Sequence, residues 1–156
     1  MELSDILAEE SVFYFTGLKT KDELLQRIAA EAGRLLARDP ATIHETLSAR
    51  EALGSTGLGN GIAIPHGKLG GLTRVSALFA RLETPIEFDA VDDQPVDLVM
   101  VLLAPLGAGA EHLKALSRVA RLLRGEACVD DLRKAEDPAQ MYQVLTARAE
   151  TTNKAA

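Results

Sequence analysis

The chain of 156 residues is 47% hydrophobic and 26% charged, which is the balance of one globular domain able to bury a core. A formal net charge of -6, with no basic run or aromatic stacking platform against it, excludes an electrostatic footprint for nucleic acid or an anionic membrane. One cysteine, Cys128, allows no internal disulfide; it fits a reducing compartment and packing in a helix.

Acids at Glu2 and Asp5 stand where an export signal carries lysines. The longest apolar run, Leu98 to Leu106, is interrupted by Pro105 and too short to cross a bilayer. A cytoplasmic protein without membrane insertion is expected. Leu3 to Ala8 starts a short helix, and Ser11 to Phe15 has the β-branched and aromatic content of a strand. Thr20 opens a helix, with Glu23 completing a capping box and Leu24, Leu25, Ile28, Ala32, Leu35 and Leu36 as its buried stripe. Asp39-Pro40 supplies the cap and first residue of a second helix running to about Leu53. On it Ile43 and Leu47 face inward and Arg50 continues their row, while His44, Ser48 and Glu51 share the opposite, polar face. A guanidinium beside an apolar stripe needs an anionic or carbonyl partner, or it snorkels to water at the helix end.

Next comes Gly54-Ser55-Thr56-Gly57-Leu58-Gly59-Asn60-Gly61, then Ile62-Ala63-Ile64, a buried strand that delivers His66 between Pro65 and Gly67. Glycines leave amides open to an oxyanion, and Ser55 and Thr56 add hydroxyls, so the stretch suits a nucleophilic or ligating histidine beside an anion cradle. The plainer reading, a turn and a histidine hydrogen-bonded in place, stands beside it. The Walker pattern fails because Gly67-Lys68 is followed by Leu69, and no dinucleotide fingerprint exists because position 62 is not glycine. Val75 to Leu82 alternates as a strand, and Pro85 with the acidic Glu87 to Asp93 makes a connection. Val96 to Ala104 is expected as a central strand buried on both faces. A helix from about Ala110 packs through Leu113, Leu116, Val119, Ala120, Leu122 and Leu123, with His112 facing inward in its first turn. Such a position suits a nearby anion, or a core histidine bonded to backbone. Two more helices, about 127–135 and 137–147, complete residues 1–148, and residues 149–156 are expected as a flexible tail. Four strands among helices indicate a single α/β domain.

Arg50, Ser55, Thr56, His66 and His112 all fall at element ends, where α/β folds place their sites. No carboxylate cluster suits magnesium, no cysteine accompanies either histidine for zinc, and a zinc site through His44 would need its exposed face turned inward. Ser55 is not in a nucleophile-elbow pattern. Phosphoryl transfer onto a histidine fits, with no metal, nucleotide or other cofactor.

The run from Gly54 to Gly67 closely resembles the active-site signature of phosphotransferase-system enzyme IIA proteins of the mannitol/fructose class, nearest to their nitrogen-regulatory branch. The likeness extends through Leu82 to Ala90 and Asp92 to Leu98. It implies a mixed, roughly five-stranded sheet flanked by helices, with Ser11 to Phe15 as the fifth strand. It implies further that His66 accepts a phosphoryl group from an HPr-like phosphocarrier, that His112 is the second active-site histidine, and that Arg50 is the active-site arginine. Ser55, Thr56 and Gly57 are the expected phosphate-binding residues. With no fused permease or IIB domain in the sequence, regulation is expected over sugar uptake, through partners such as potassium-transport or stress-signalling proteins. The alternatives are a sugar-specific IIA that passes the phosphoryl group to a IIB domain, and a non-catalytic anion- or partner-binding module.

Overall fold

Nine residues from Val96 to Ala104, polar only at Asp97, form the strand on which the rest of the sheet is laid. In the computed structural model, which describes residues 2–155, six strand segments join one mixed sheet: β1 (Val12–Phe15), β2 (Gly57–Gly59), β3 (Ile62–Ala63), β4 (His66–Lys68), β5 (Ser76–Ile86) and β6 (Val96–Ala104). The order is β1-β5-β6-β3-β2, with β4 continuing the β3 edge farther along β6. Pairing of β5 with β6 is antiparallel, whereas β1 on β5 and both β3 and β4 on β6 are parallel. This is the single α/β domain with a mixed sheet that the sequence led us to expect.

Alternation along β6 divides the core. Leu98, Met100, Leu102 and Ala104 face α1 (Leu3–Ile6), α4 (Gly109–Leu123), α5 (Glu126–Lys134) and α6 (Pro138–Ala155). Val99, Val101 and Leu103 face α2 (Lys21–Leu36) and α3 (Pro40–Ala52). The helix starts follow local chemistry. Thr20 Oγ1 accepts from the Glu23 amide at 3.1 Å, and the Glu23 carboxylate reaches past the cap to the Lys19 amide at 3.2 Å. Asp39 accepts from the Ala41 amide with Pro40 in the first helical position, a cap that contributes about 1 kcal/mol. The Arg81 guanidinium leaves β5 to bind the Leu132 and Ala135 carbonyls at 2.8 and 2.7 Å, satisfying the end of α5.

Several expectations differ from the structure. Gly57 to Gly59 is strand β2 and not open loop: Asn60 and Gly61, both at positive φ (58° and 80°), turn it back on β3 as a hairpin. Strand β5 runs past Leu82 to Ile86, slipping register between Arg81 and Ile86 where exposed Glu83, Thr84 and Pro85 bulge out. In α4 the buried positions are His112, Ala115, Val119, Leu122 and Leu123, and Leu113 is 65% exposed. Apolar residues at helical spacing fitted two neighbouring faces there, and the sheet selected the one containing His112. At the C-terminus α6 keeps helical backbone through Ala155, so most of the residues expected as a tail extend it; residue 156 lies outside the described residues. Cys128 is buried and its thiol pKa is pushed up to about 11, mainly by desolvation, as suits a packing residue.

Gly57 lies so close to the turn after β5 that an added Cβ would sit 2.7 Å from the Ala90 Cβ. Gly57→Ala is therefore expected to lower unfolding free energy by about 1–3 kcal/mol in urea titrations. Gly107→Ala, where an added Cβ meets nothing within 4 Å, should leave it within about 0.5 kcal/mol.

Candidate active site

His66 is the first residue of β4 and is half-buried, with its strand paired to β6 at Leu102. Its strand edge breaks after β3, at Ile64-Pro65, and the break leaves the Ile64 carbonyl turned to the imidazole. Nδ1 lies 2.8 Å from that oxygen, and Nε2 lies 3.2 Å from Nε of Arg50. A carbonyl only accepts and a guanidinium only donates, so the ring's tautomer follows: Nδ1 carries the proton and Nε2 presents its lone pair. Arg50, in the last turn of α3, also donates from Nη1 to the Gly54 carbonyl at 2.9 Å. This is the carbonyl partner that an inward-facing guanidinium calls for, and it helps hold the guanidinium beside the histidine.

His112 approaches from the other side. It is 9% exposed in the first turns of α4, its ring centroid 5.4 Å from that of His66 with planes tilted by 50°, and its Nδ1 is buried without a hydrogen-bond partner. Burial pushes both imidazoles below their ordinary pKa. For His66 the Arg50 charge lowers it further, while the Ile64 bond and the Glu51 charge oppose the shift. For His112 the lesser causes are His66 and Lys68.

The expected phosphate-binding residues are engaged with other partners. Ser55 Oγ donates to the Phe88 carbonyl at 2.6 Å and accepts from the Gly57 amide at 3.1 Å. The Thr56 amide donates to Glu51 at 3.1 Å, and the Thr56 hydroxyl donates to the same carboxylate. These donors brace the loop against its neighbours. Glu51, which helical spacing assigned to a polar face, is 8% exposed and is balanced by Lys21, whose Nζ is 2.8 Å away and 4.3 Å above the Phe88 ring. The sequence signal for it was slight: an acid next to an inward-facing arginine, followed five residues on by a threonine.

His44 belongs elsewhere. It is half-buried against α2, with Nε2 2.8 Å from Asp22 and 3.4 Å from the Ser48 hydroxyl. Among the described residues no three histidine, cysteine or acidic side chains gather as metal ligands, and no helix is long and apolar enough to cross a membrane.

The two imidazoles should titrate with midpoints below about 6.5 when followed by NMR. Arg50→Ala should move the His66 midpoint upward, because it removes a charge that disfavours imidazolium. Both histidines have a folded pKa below the unfolded one. Their contribution to stability is therefore complete above about pH 6.5 and is lost as pH falls through the folded values, which pH-dependent denaturation will reveal.

Residues 5–148 match the family described as phosphoenolpyruvate-dependent sugar phosphotransferase system, EIIA 2. The nitrogen regulatory protein of Bradyrhizobium diazoefficiens is 47% identical over 145 residues, covering 93% of this chain and 95% of that protein. The nitrogen regulatory protein of Escherichia coli K12 is 40% identical over 156 residues, covering 99% and 96%. The crystal structure of nitrogen regulatory protein IIA-Ntr from Neisseria meningitidis superposes with a TM-score of 0.87 at 33% identity, over 92% of this chain and 99% of that one. Sequence and overall fold thus agree, and the chain belongs to the EIIA type 2 family of the phosphotransferase system, in its nitrogen-regulatory branch.

Proposed function

We propose that this protein is a phosphohistidine carrier whose Nε2 atom of His66 accepts a phosphoryl group from an HPr-like phosphocarrier, and that its phosphorylation state regulates partner proteins in the cytoplasm. The observation that carries this reading is the lone pair on Nε2, oriented by Arg50 with a second imidazole 5.4 Å away between ring centroids.

The steps follow from the donors present. The Nε2 lone pair attacks phosphorus, and the bond between phosphorus and the carrier's histidine nitrogen breaks, returning its electron pair to the carrier's ring. Positive charge then develops on the His66 ring, and the Ile64 carbonyl at Nδ1–H is placed to stabilise it. As Nε2 forms its bond to phosphorus, Nε–H of Arg50 loses its acceptor and turns to an equatorial phosphoryl oxygen. The donor that orients the nucleophile thus becomes a ligand of the transferred group. His112 flanks the His66 ring at 5.4 Å between centroids. With a lowered pKa, His66 is largely neutral at pH 7, the protonation state attack requires.

Phosphorylation adds about -1.5 to -2 charges to a half-buried position near the surface, which changes the partners that dock there. Potassium-transport and stress-signalling components remain the regulatory targets we propose, accessible to pull-downs that compare the two phosphorylation states.

Incubation with phosphorylated carrier should give an acid-labile adduct on the wild-type protein and none on His66→Ala. Labelled His66→Ala would refute the assignment. Arg50→Ala and His112→Ala should fold and accept the group more slowly, each by up to about 100-fold, with single-turnover rates as the measure.

A further inference from the structure

A closed circuit of contacts surrounds His66, and Glu51 is the member through which it closes. One arm runs through Arg50, whose Nε–H reaches Nε2. The other starts at the next residue. The Glu51 carboxylate takes both the amide and the hydroxyl of Thr56, folding the loop back on the end of α3. The Thr56 carbonyl accepts from the Ile64 amide at 3.1 Å, and the Ile64 carbonyl accepts from Nδ1–H of His66 at 2.8 Å. Both ring nitrogens are thereby referred to two consecutive helix residues. Gly54, between the arms, is tied to the same turn by its amide on the Glu51 carbonyl and its own carbonyl on Arg50.

We infer that Glu51 is a positioning residue for phosphoryl transfer: by holding Thr56 it fixes the Ile64 carbonyl, and through it the tautomer and aim of the His66 ring. This inference rests on the reading of His66 as the acceptor. Lys21 makes the arrangement tenable by compensating a carboxylate that is only 5% exposed, and α2 is thereby fastened to the site as well. The Glu51 carboxylate is bonded to Thr56 and Lys21, and it acts on the histidine through Thr56 and Ile64. A purely structural ion pair would stabilise α2 against α3 without affecting which ring nitrogen holds the proton.

That difference is measurable in the full chain. Lys21→Met/Glu51→Gln and Lys21→Met/Glu51→Ala each remove the ion pair as a unit, so that no lone charge is left buried. Nitrogen-15 shifts of the His66 ring report the tautomer, and single-turnover labelling by phosphorylated carrier reports transfer. The glutamine variant keeps an acceptor for Thr56 and should retain the Nδ1–H form, with a rate within about tenfold of wild type. The alanine variant should show mixed tautomers and a rate lower on the order of 100-fold. A single Nδ1–H tautomer and a wild-type rate in the alanine variant would overturn the inference. So would failure of both variants to fold, because Glu51 would then be a folding residue. A wild-type protein that accepts no phosphoryl group would sink the acceptor reading and with it any role in transfer, while the ring shifts would still decide whether Glu51 sets the His66 tautomer.

Discussion

The hydrogen bond from Nδ1 of His66 to the Ile64 carbonyl, at 2.8 Å, is the constraint on which the rest of the site depends. It is available because the edge strand is interrupted. Pro65 contributes no amide to the ladder and separates β3 from β4, although its own carbonyl still accepts from the Leu102 amide at 3.0 Å. The carbonyl just before the proline is left for a side chain two residues on. A continuous strand would direct that oxygen along the sheet, and the imidazole would lose the bond that selects its tautomer.

Around that bond, opposing charges are balanced. Desolvation and Arg50 disfavour protonation of His66, while the Ile64 carbonyl and Glu51 favour it, and the net effect is a pKa below the ordinary imidazole value. Glu51 is itself offset by Lys21, so the carboxylate braces the loop without leaving an unmatched charge in the core. The same economy applies to the hydroxyls of Ser55 and Thr56. Each is bonded within the scaffold, and the guanidinium of Arg50 is left as the cation next to Nε2 of His66.

Much of this was legible in the sequence because its causes are local. The Thr20 and Asp39 caps act within a few residues, and the run of β6, apolar except at Asp97, admits little except a strand buried on both faces. His66, His112 and Arg50 stood out because each chemical group falls at the end of a patterned element, and the fold brings those ends together. What escaped depends on distant partners. Nothing near Glu51 in sequence announces Lys21, thirty residues earlier, and helical spacing alone puts the acid on a polar face. Strand β2 was hidden because glycines carry no alternation, and its edge is revealed only by pairing with β3 and the closeness of Ala90. The Ser55 and Thr56 hydroxyls resembled anion donors until Phe88 and Glu51 were seen to claim them.

The parallel pairing of β4 with β6 also governs when the geometry around His66 first exists. The segment that holds His66 in register, Leu102 to Ala104, follows it in the chain and leaves the ribosome after it. Until then the edge strand has no inner neighbour, and a loop spanning β5 must close before the pair forms, an entropic cost met ahead of any reward. Nascent protein shorter than this therefore lacks the paired edge that holds His66, and the geometry of that ring forms only after the chain has passed Ala104.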